Sequence, residues 1–377
     1  MKQLLTYALI CWIFMLPVEK TNAQTAAEQL PSWALGPFLR PAGVNPIISP
    51  NTSTTFLDPL SGKNVAWESN DTFNPAATVK GKEIVVLYRA EDKSGVGIGQ
   101  RTSRLGYAYS TDGITFKRKA EPVFYPGNDS QKELENPGGC EDPRVAVTSD
   151  GTYVMFYTQW NKKVARLGIA TSKDLIKWTK HGPAFAKAYN GKFHDMFTKS
   201  ASIVTKLVNG KQIIAKVNGK YLMYWGERFL NAATSDDLIN WTPALDAEGK
   251  IKELIKPRKN YFDSSLTEAG PPALLTDKGI LVLYNGKNAS GDNADKNYTA
   301  NTYAAGQVLF DAKDPEKVIG RLDKPFFVPT ESFEKSGQYP AGTVFVEGLI
   351  FHQQKWFLYY GCADSKVAVA VFTPSKK

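Results

Sequence analysis

The chain has 377 residues, 42% of them hydrophobic and 22% charged, enough apolar material to fill a core and too much for a disordered or fibrous protein. With 46 Lys and Arg against 37 Asp and Glu the formal charge is +9, but the basic residues are spread along the chain. The clusters Lys117-Arg118-Lys119 and Lys256-Pro257-Arg258-Lys259 are short and interleaved with acids, so no nucleic-acid partner is expected.

In chain order, Lys2 precedes an apolar run from Leu4 to Val18, and Asn22-Ala23-Gln24 offers a small residue at a cleavage point. Residues 1–23 read as a secretory signal peptide, and the run breaks too soon at Pro17, Glu19 and Lys20 to span a membrane. No membrane insertion is expected once it is removed. Cys11 follows Ile10 where a lipoprotein signal wants a small residue, so the mature protein is expected to be exported, periplasmic or secreted, without a lipid anchor. Residues 24–64 read as an irregular N-terminal arm.

At roughly 150 residues per domain the length suggests two domains, but an internal repeat argues for one. Leu105–Phe116 contains Ser110-Thr-Asp112, Leu167–Trp178 contains Ser172-Lys-Asp174, and Leu230–Trp241 contains Ser235-Asp-Asp237, each ending in an aromatic residue. The spacing is 62 residues from Phe116 to Trp178 and 63 from Trp178 to Trp241. Each copy opens on a small or Pro-marked strand and continues into an aromatic one. These pairs are Asn74-Pro75-Ala76 with Ile84–Tyr88, Glu141-Asp142-Pro143-Arg144 with Tyr153–Tyr157, and Lys199-Ser200-Ala201 with Tyr221–Tyr224. Glu268–Pro272 with Ile280–Tyr284, and Tyr339–Gly342 with Trp356–Tyr360, complete the series. A period of about sixty residues holding about four strands suits a propeller blade. The expected fold is all-β, a five-bladed β-propeller over residues 65–377, with a short helical segment near Ala184–Phe197 as its main exception.

First strands of propeller blades line the central channel, so Asn74, Asp142, Arg144, Lys199, Glu268 and Asp364 become a candidate constellation. Tyr88, Arg89, Trp160, Tyr224 and Trp225 would add stacking faces and polar groups suited to a sugar, with core packing as the alternative for the two tyrosines. Only His181, His194 and His352 occur, with no metal-ligand spacing or phosphate loop, so neither a metal nor a cofactor is expected. Cys140 and Cys362 could pair or remain buried thiols.

Asn74-Pro75-Ala76, Tyr88-Arg89-Ala90, Gly139-Cys140-Glu141-Asp142-Pro143-Arg144, the Ser-x-Asp turns and Gly361-Cys362-Ala363-Asp364 together resemble glycoside hydrolase family 130, the β-mannoside phosphorylases and β-mannosidases. The resemblance implies a five-bladed propeller that cleaves β-mannosidic bonds with inversion, with Asp142 as general acid. It also implies that Asn74, Arg89, Ser103, Arg144, Lys199 and Asp364 bind the mannoside. Phosphorylase members carry a basic, His-Arg-Pro-like stretch after the aromatic strand of the third blade, where this chain reads Tyr224-Trp225-Gly226-Glu227. A carboxylate there repels phosphate and could accept a proton from water. Hydrolase members place two glutamates in this region, which makes Glu227 and Glu268 the candidate bases, roughly 6.5–9.5 Å from the acid in an inverting enzyme. The expectation is an exported inverting β-1,2-mannosidase acting on β-mannoside oligosaccharides. The alternatives are a β-mannoside phosphorylase and a non-catalytic glycan-binding propeller.

Overall fold

The computed structural model describes residues 30–375, so the leader expected over residues 1–23 lies outside the described residues. The fold is nearly all-β, and among the described residues the one α-helix is the four-residue Lys132–Glu135. The helix expected near Ala184–Phe197 is absent. A 3-10 turn, Ala188–Gly191, stands there instead, with Tyr189 and Asn190 at left-handed φ of 48° and 58°. Asn190-Gly191 is a turn pair, and it stops the backbone before a helix can propagate.

The strands run in successive antiparallel groups. Asp71–Lys80, Glu83–Glu91 and Ser103–Ser110 pair in chain order, as do Gly139–Val147, Tyr153–Trp160, Ala165–Ser172 and Thr179–Pro183. Ala201–Val208, Lys220–Trp225, Asn231–Ser235 and Trp241–Pro243 repeat the order. Leu266–Ala269 and Ala273–Thr276 then share the partner Gly279–Lys287, which continues into Tyr303–Phe310 and Val318–Arg321. Val344–His352, Lys355–Cys362 and Lys366–Phe372 come last. Parallel contacts join neighbouring groups, at Ser103, in the third strand of the first group, with Gly139, and at Val204 with Ala273.

Each group buries its faces against the next. Phe156 and Ile169 pack with Met223, Trp225 and Trp241 of the following group. Leu283 and Leu309 likewise pack with Val346, Leu358 and Tyr360. A sheet of this kind exposes apolar residues on both faces until a neighbour covers them, so the groups stabilise one another rather than folding alone.

Local chemistry explains the sequence repeat. Ser172 Oγ accepts the backbone N–H groups of Asp174 and Leu175, while Asp174 Oδ1 accepts those of Ile176 and Lys177. Ser110 with Asp112, and Ser235 with Asp237, make the same bonds. The residue after each Asp is left-handed, Gly113, Leu175 and Leu238 having φ of 79°, 64° and 70°. The two side chains thereby satisfy backbone donors that the turn removes from the ladder.

A second repeat is buried and non-local. Tyr88, Tyr157, Tyr284 and Tyr360 each donate a hydroxyl, at 2.7–2.8 Å, to a buried acid: Glu68, Glu135, Asp263 and Glu334. Arg118, Lys180, Arg321 and Arg40 respectively neutralise those acids. Arg40 belongs to the segment before residue 65, which has regular contacts despite its irregular reading. Leu39 and Ile48 bridge to Val371 and Val367, and the Asn45 amide brackets the backbone of Val369 at 2.8 and 2.9 Å.

Candidate active site

The first strands of the groups kink where they meet. Asn74 and Asp142 sit at left-handed φ of 46° and 48° beside register shifts, each followed by Pro, and Ser200 matches them at 55°. Such a bulge redirects one side chain out of the strand alternation. The result is direct contact across two groups: Asn74 Nδ2 donates to Asp142 Oδ1 at 2.9 Å.

Arg89 organises this end of the site. Its Nη1 donates to Asp142 Oδ1 at 2.9 Å, Nη2 to Glu91 at 2.6 Å and Glu141 at 2.8 Å, and Nε to Ser103 Oγ at 3.0 Å. The guanidinium also lies 4.6 Å from the centre of the Phe73 ring. Lys199 Nζ stands 3.5 Å from Asp142 Oδ2. Arg144 bridges strands by donating to the backbone carbonyls of Asp142 at 2.9 Å and Ala269 at 3.0 Å.

Glu227 and Glu268 face one another. Ala269 N–H donates to Gly226 O and Thr267 N–H to Arg228 O, both at 3.1 Å, so residues 227 and 268 fall between two antiparallel bonds. Opposed residues in that position have Cα atoms about 4.5 Å apart, and like charges there repel. Ser200 Oγ donates to Glu268 Oε1 at 2.5 Å. Lys199, Trp225 and Glu227 line a cleft of about 180 Å3 beside the pair.

Electrostatics separates the acids. Burial raises the Glu268 carboxyl to about 7, and repulsion from Glu227 adds to the rise against the pull of Lys199 and Arg144. Burial likewise raises Glu141 to about 7 despite Arg89, with Asp142 adding. Asp364 also reaches about 7, through burial and the nearby Asp142 and Glu91, with Arg89 opposing. Burial pushes Asp142 upward too, but Arg89, Lys199, Arg144 and the Asn74 amide outweigh it and hold this carboxyl well below its usual range. On Lys199, burial works against the charge, and Glu227, Asp142, Glu268 and Glu141 together raise the ammonium above its ordinary value. The Lys199 ammonium thus responds to Asp142, 3.5 Å away, and to the field of both glutamates.

Some expected lining residues do not present themselves to a ligand. Tyr88 and Tyr224 are fully buried core residues: one hydroxyl serves Glu68, and the other donates to Pro315 O at 2.7 Å. Trp225 borders the cleft beside Lys199 and also packs on Phe185, with ring centres 4.7 Å apart, which leaves it 3% exposed. Trp160 is half-buried and donates its indole N–H to Gly99 O at 2.8 Å. Cys140 and Cys362 are separate buried thiols.

Three residues at the site escape a reading by sequence. Glu141 is masked by its neighbour Asp142, and Ser200 looks like an ordinary small residue. Glu347 carries a clearer signal, an acid inside the apolar run Val344-Phe345-Val346-Glu347-Gly348-Leu349-Ile350.

Residues 45–376 match the model of a family described as beta-1,4-mannooligosaccharide phosphorylase, glycoside hydrolase family 130. A 1,2-beta-oligomannan phosphorylase from Thermoanaerobacter sp. (strain X514) is 34% identical over 81% of this chain and 90% of its own length. The crystal structure of a glycosyl hydrolase from Bacteroides ovatus is 66% identical, covers 93% of this chain and 97% of its own, and superposes with a TM-score of 0.91. Another structure is 64% identical over 93% of this chain and 97% of its own, with a TM-score of 0.92. That structure accompanies the statement that the GH130 family of mannoside phosphorylases contains glycoside hydrolases that target beta-1,2 mannosidic linkages in Candida mannan.

Proposed function

The chain belongs to glycoside hydrolase family 130, and from that premise we propose that it is an exported, inverting β-mannosidase that releases mannose from β-1,2-linked mannosides. We further propose that the successive strand groups are the blades of a five-bladed β-propeller, with the constellation around Lys199 at its axis. The observation that carries the hydrolytic reading is the facing pair Glu227 and Glu268. A phosphate dianion entering beside Lys199 would meet two opposed carboxylates, whereas a water molecule there meets a proton acceptor.

In this reading Asn74, Arg89, Ser103, Arg144, Lys199 and Asp364 bind and orient the mannoside. Asp142 is the proton donor for the glycosidic oxygen. In the ligand-free pocket Arg89, Lys199 and Arg144 favour the ionised form of this carboxyl, whereas burial raises the adjacent Glu141, so Glu141 is the member of the pair that favours holding a proton. Donation therefore requires that proton to pass to Asp142 when the substrate displaces part of the cationic field from Lys199. At the other side of the bond, the Glu227–Glu268 pair takes the proton of the attacking water. The 64%-identical structure associated with β-1,2 mannosidic linkages supports the choice of linkage.

A second reading, a β-mannoside phosphorylase, draws on the name of the 34%-identical relative and on the cation Lys199. The deciding experiment supplies β-1,2- and β-1,4-mannobiose to the purified protein with and without inorganic phosphate. Hydrolysis predicts free mannose from the β-1,2 disaccharide at a rate indifferent to phosphate. Mannose 1-phosphate formed at a rate that rises with phosphate would replace the proposal with the second reading. Binding of the disaccharide without turnover would replace both with a glycan-binding role.

A further inference from the structure

Glu347 is a fully buried acid outside the set assigned above. It sits at the register shift between Val346 and Gly348, the counterpart in the last group of the kinks at Asn74 and Asp142. The bulge is pinned on both sides. Asn285 grips Val346, accepting its N–H at 2.7 Å and donating to its carbonyl at 3.1 Å. At Gly348 an added Cβ would stand 3.0 Å from both the Ala77 Cβ and the Pro75 carbonyl, so the strand lies so close to Asp71–Lys80 that a side chain there would push its neighbour aside by a few tenths of an ångström.

Thus held, Glu347 Oε1 lies 2.9 Å from Arg144 Nη1, while neither carboxylate oxygen has a well-aligned hydrogen bond. Arg144 is the residue that ties the carbonyl of Asp142 to that of Ala269, the neighbour of Glu268. Three first strands therefore meet on one guanidinium. We propose that Glu347 is a positioning residue: by fixing Arg144 from the third side, it sets the spacing between the strand that carries Asp142 and the strand that carries Glu268. Its role in turnover rests on the reading of Asp142 and Glu268 given above.

The role asks for an oxygen within reach of Arg144, which the 2.9 Å approach of Glu347 Oε1 supplies, and it does not ask for charge. Burial pushes the Glu347 carboxyl well above its ordinary range against the pull of Arg144, with Asp142 and Glu268 adding to the rise. A neutral group with an oxygen in the same place can keep that approach to Arg144.

Two conservative variants separate the possibilities. Glu347→Gln keeps the length and drops the charge, and it is expected to keep kcat within about 3-fold of wild type with an unchanged pH profile. Glu347→Asp keeps the charge but draws the oxygens back by one methylene. A displacement of that size at an acid–base pair can cost about 100-fold, so kcat is expected to fall by about 10- to 100-fold with KM moving far less. Equal activity of both variants and wild type overturns the proposal, and so does a Gln variant that loses more kcat than the Asp variant, because that order indicates a role for charge. If the wild type is a phosphorylase, the same comparison is made with phosphate as co-substrate. If it turns over no mannoside, the functional reading fails separately, and crystal structures decide the positioning role. Arg144 must then leave at least one of its two carbonyls in Glu347→Asp and keep both in Glu347→Gln.

Discussion

Glu268 illustrates how a residue can be costly to the fold and suited to chemistry at once. Its carboxyl, raised to about 7 by burial and by Glu227, binds a proton more tightly in the folded than in the unfolded chain. The stability tied to that proton is fully present below the unfolded pKa of about 4.3 and is lost as pH rises through the folded value near 7. Glu268→Gln stays neutral throughout. It is expected to match the wild-type Tm at pH about 4 and to exceed it by about 2 °C or more at pH 8, as differential scanning calorimetry would show, while hydrolysis is lost. A Tm advantage independent of pH would contradict this account. The same shifts set the rate profile. With Glu268 as the accepting member of the pair, its carboxyl must be ionised, so kcat/KM should rise with pH up to about 7. The Glu141–Asp142 pair must keep its proton, so the rate should fall again above about 7, giving a bell-shaped profile. A profile still rising at pH 9 would count against Asp142 as the donor.

The strand groups show which interactions a sequence reveals. The Ser-x-Asp turns are legible because their bonds close within three residues, so the pattern stands intact in the chain at Ser172-Lys173-Asp174-Leu175. The tyrosine, acid and cation sets are equally regular but illegible, since their partners lie 20 residues apart for Tyr88 and Glu68 and 294 apart for Arg40 and Glu334. Asp142 was visible from its Glu-Asp-Pro-Arg context. Glu347 was not, because its importance depends on a bulge and on Arg144, which only folding brings near. The tyrosine sets also separate tyrosines that occupy comparable places at the ends of the aromatic strands. Tyr284 donates to Asp263 Oδ2 and accepts from Arg321, whereas Tyr224 makes one bond, to the loop carbonyl of the half-buried Pro315. Tyr284→Phe leaves a buried, charge-linked network one partner short and is expected to cost about 1.5–3 kcal/mol, against about 1 kcal/mol for Tyr224→Phe. Urea denaturation of the two variants compares them directly, and equal losses would mean that the sets add nothing beyond a single bond.

At the scale of the molecule, the net charge of +9 conceals a site whose central ammonium is surrounded by acids, so the sign that matters is local. The global feature that does matter is how the last strand group is finished. Lys366–Phe372 would be a bare edge carrying Val367, Val369 and Val371, and an edge of that kind invites pairing with other chains. The segment around residues 39–48 covers it through two bridges, the bracketing amide of Asn45 and the Arg40 guanidinium, which joins Glu334 and Tyr360 inside the group. These contacts differ in kind. Asn45→Ala removes two hydrogen bonds at a partly exposed edge and is expected to cost about 1–3 kcal/mol. Arg40→Ala strands the fully buried Glu334 carboxylate without its cation, a loss of about 3–5 kcal/mol. In urea titrations Arg40→Ala should therefore unfold well before Asn45→Ala. A chain shortened to begin after residue 50 should unfold earlier still and scatter light in a concentration-dependent way, as the uncovered strand finds partners. If the shortened chain kept the full-length midpoint and stayed monomeric, the segment would be a passive appendage, and the last group would have to be closed by its own three strands.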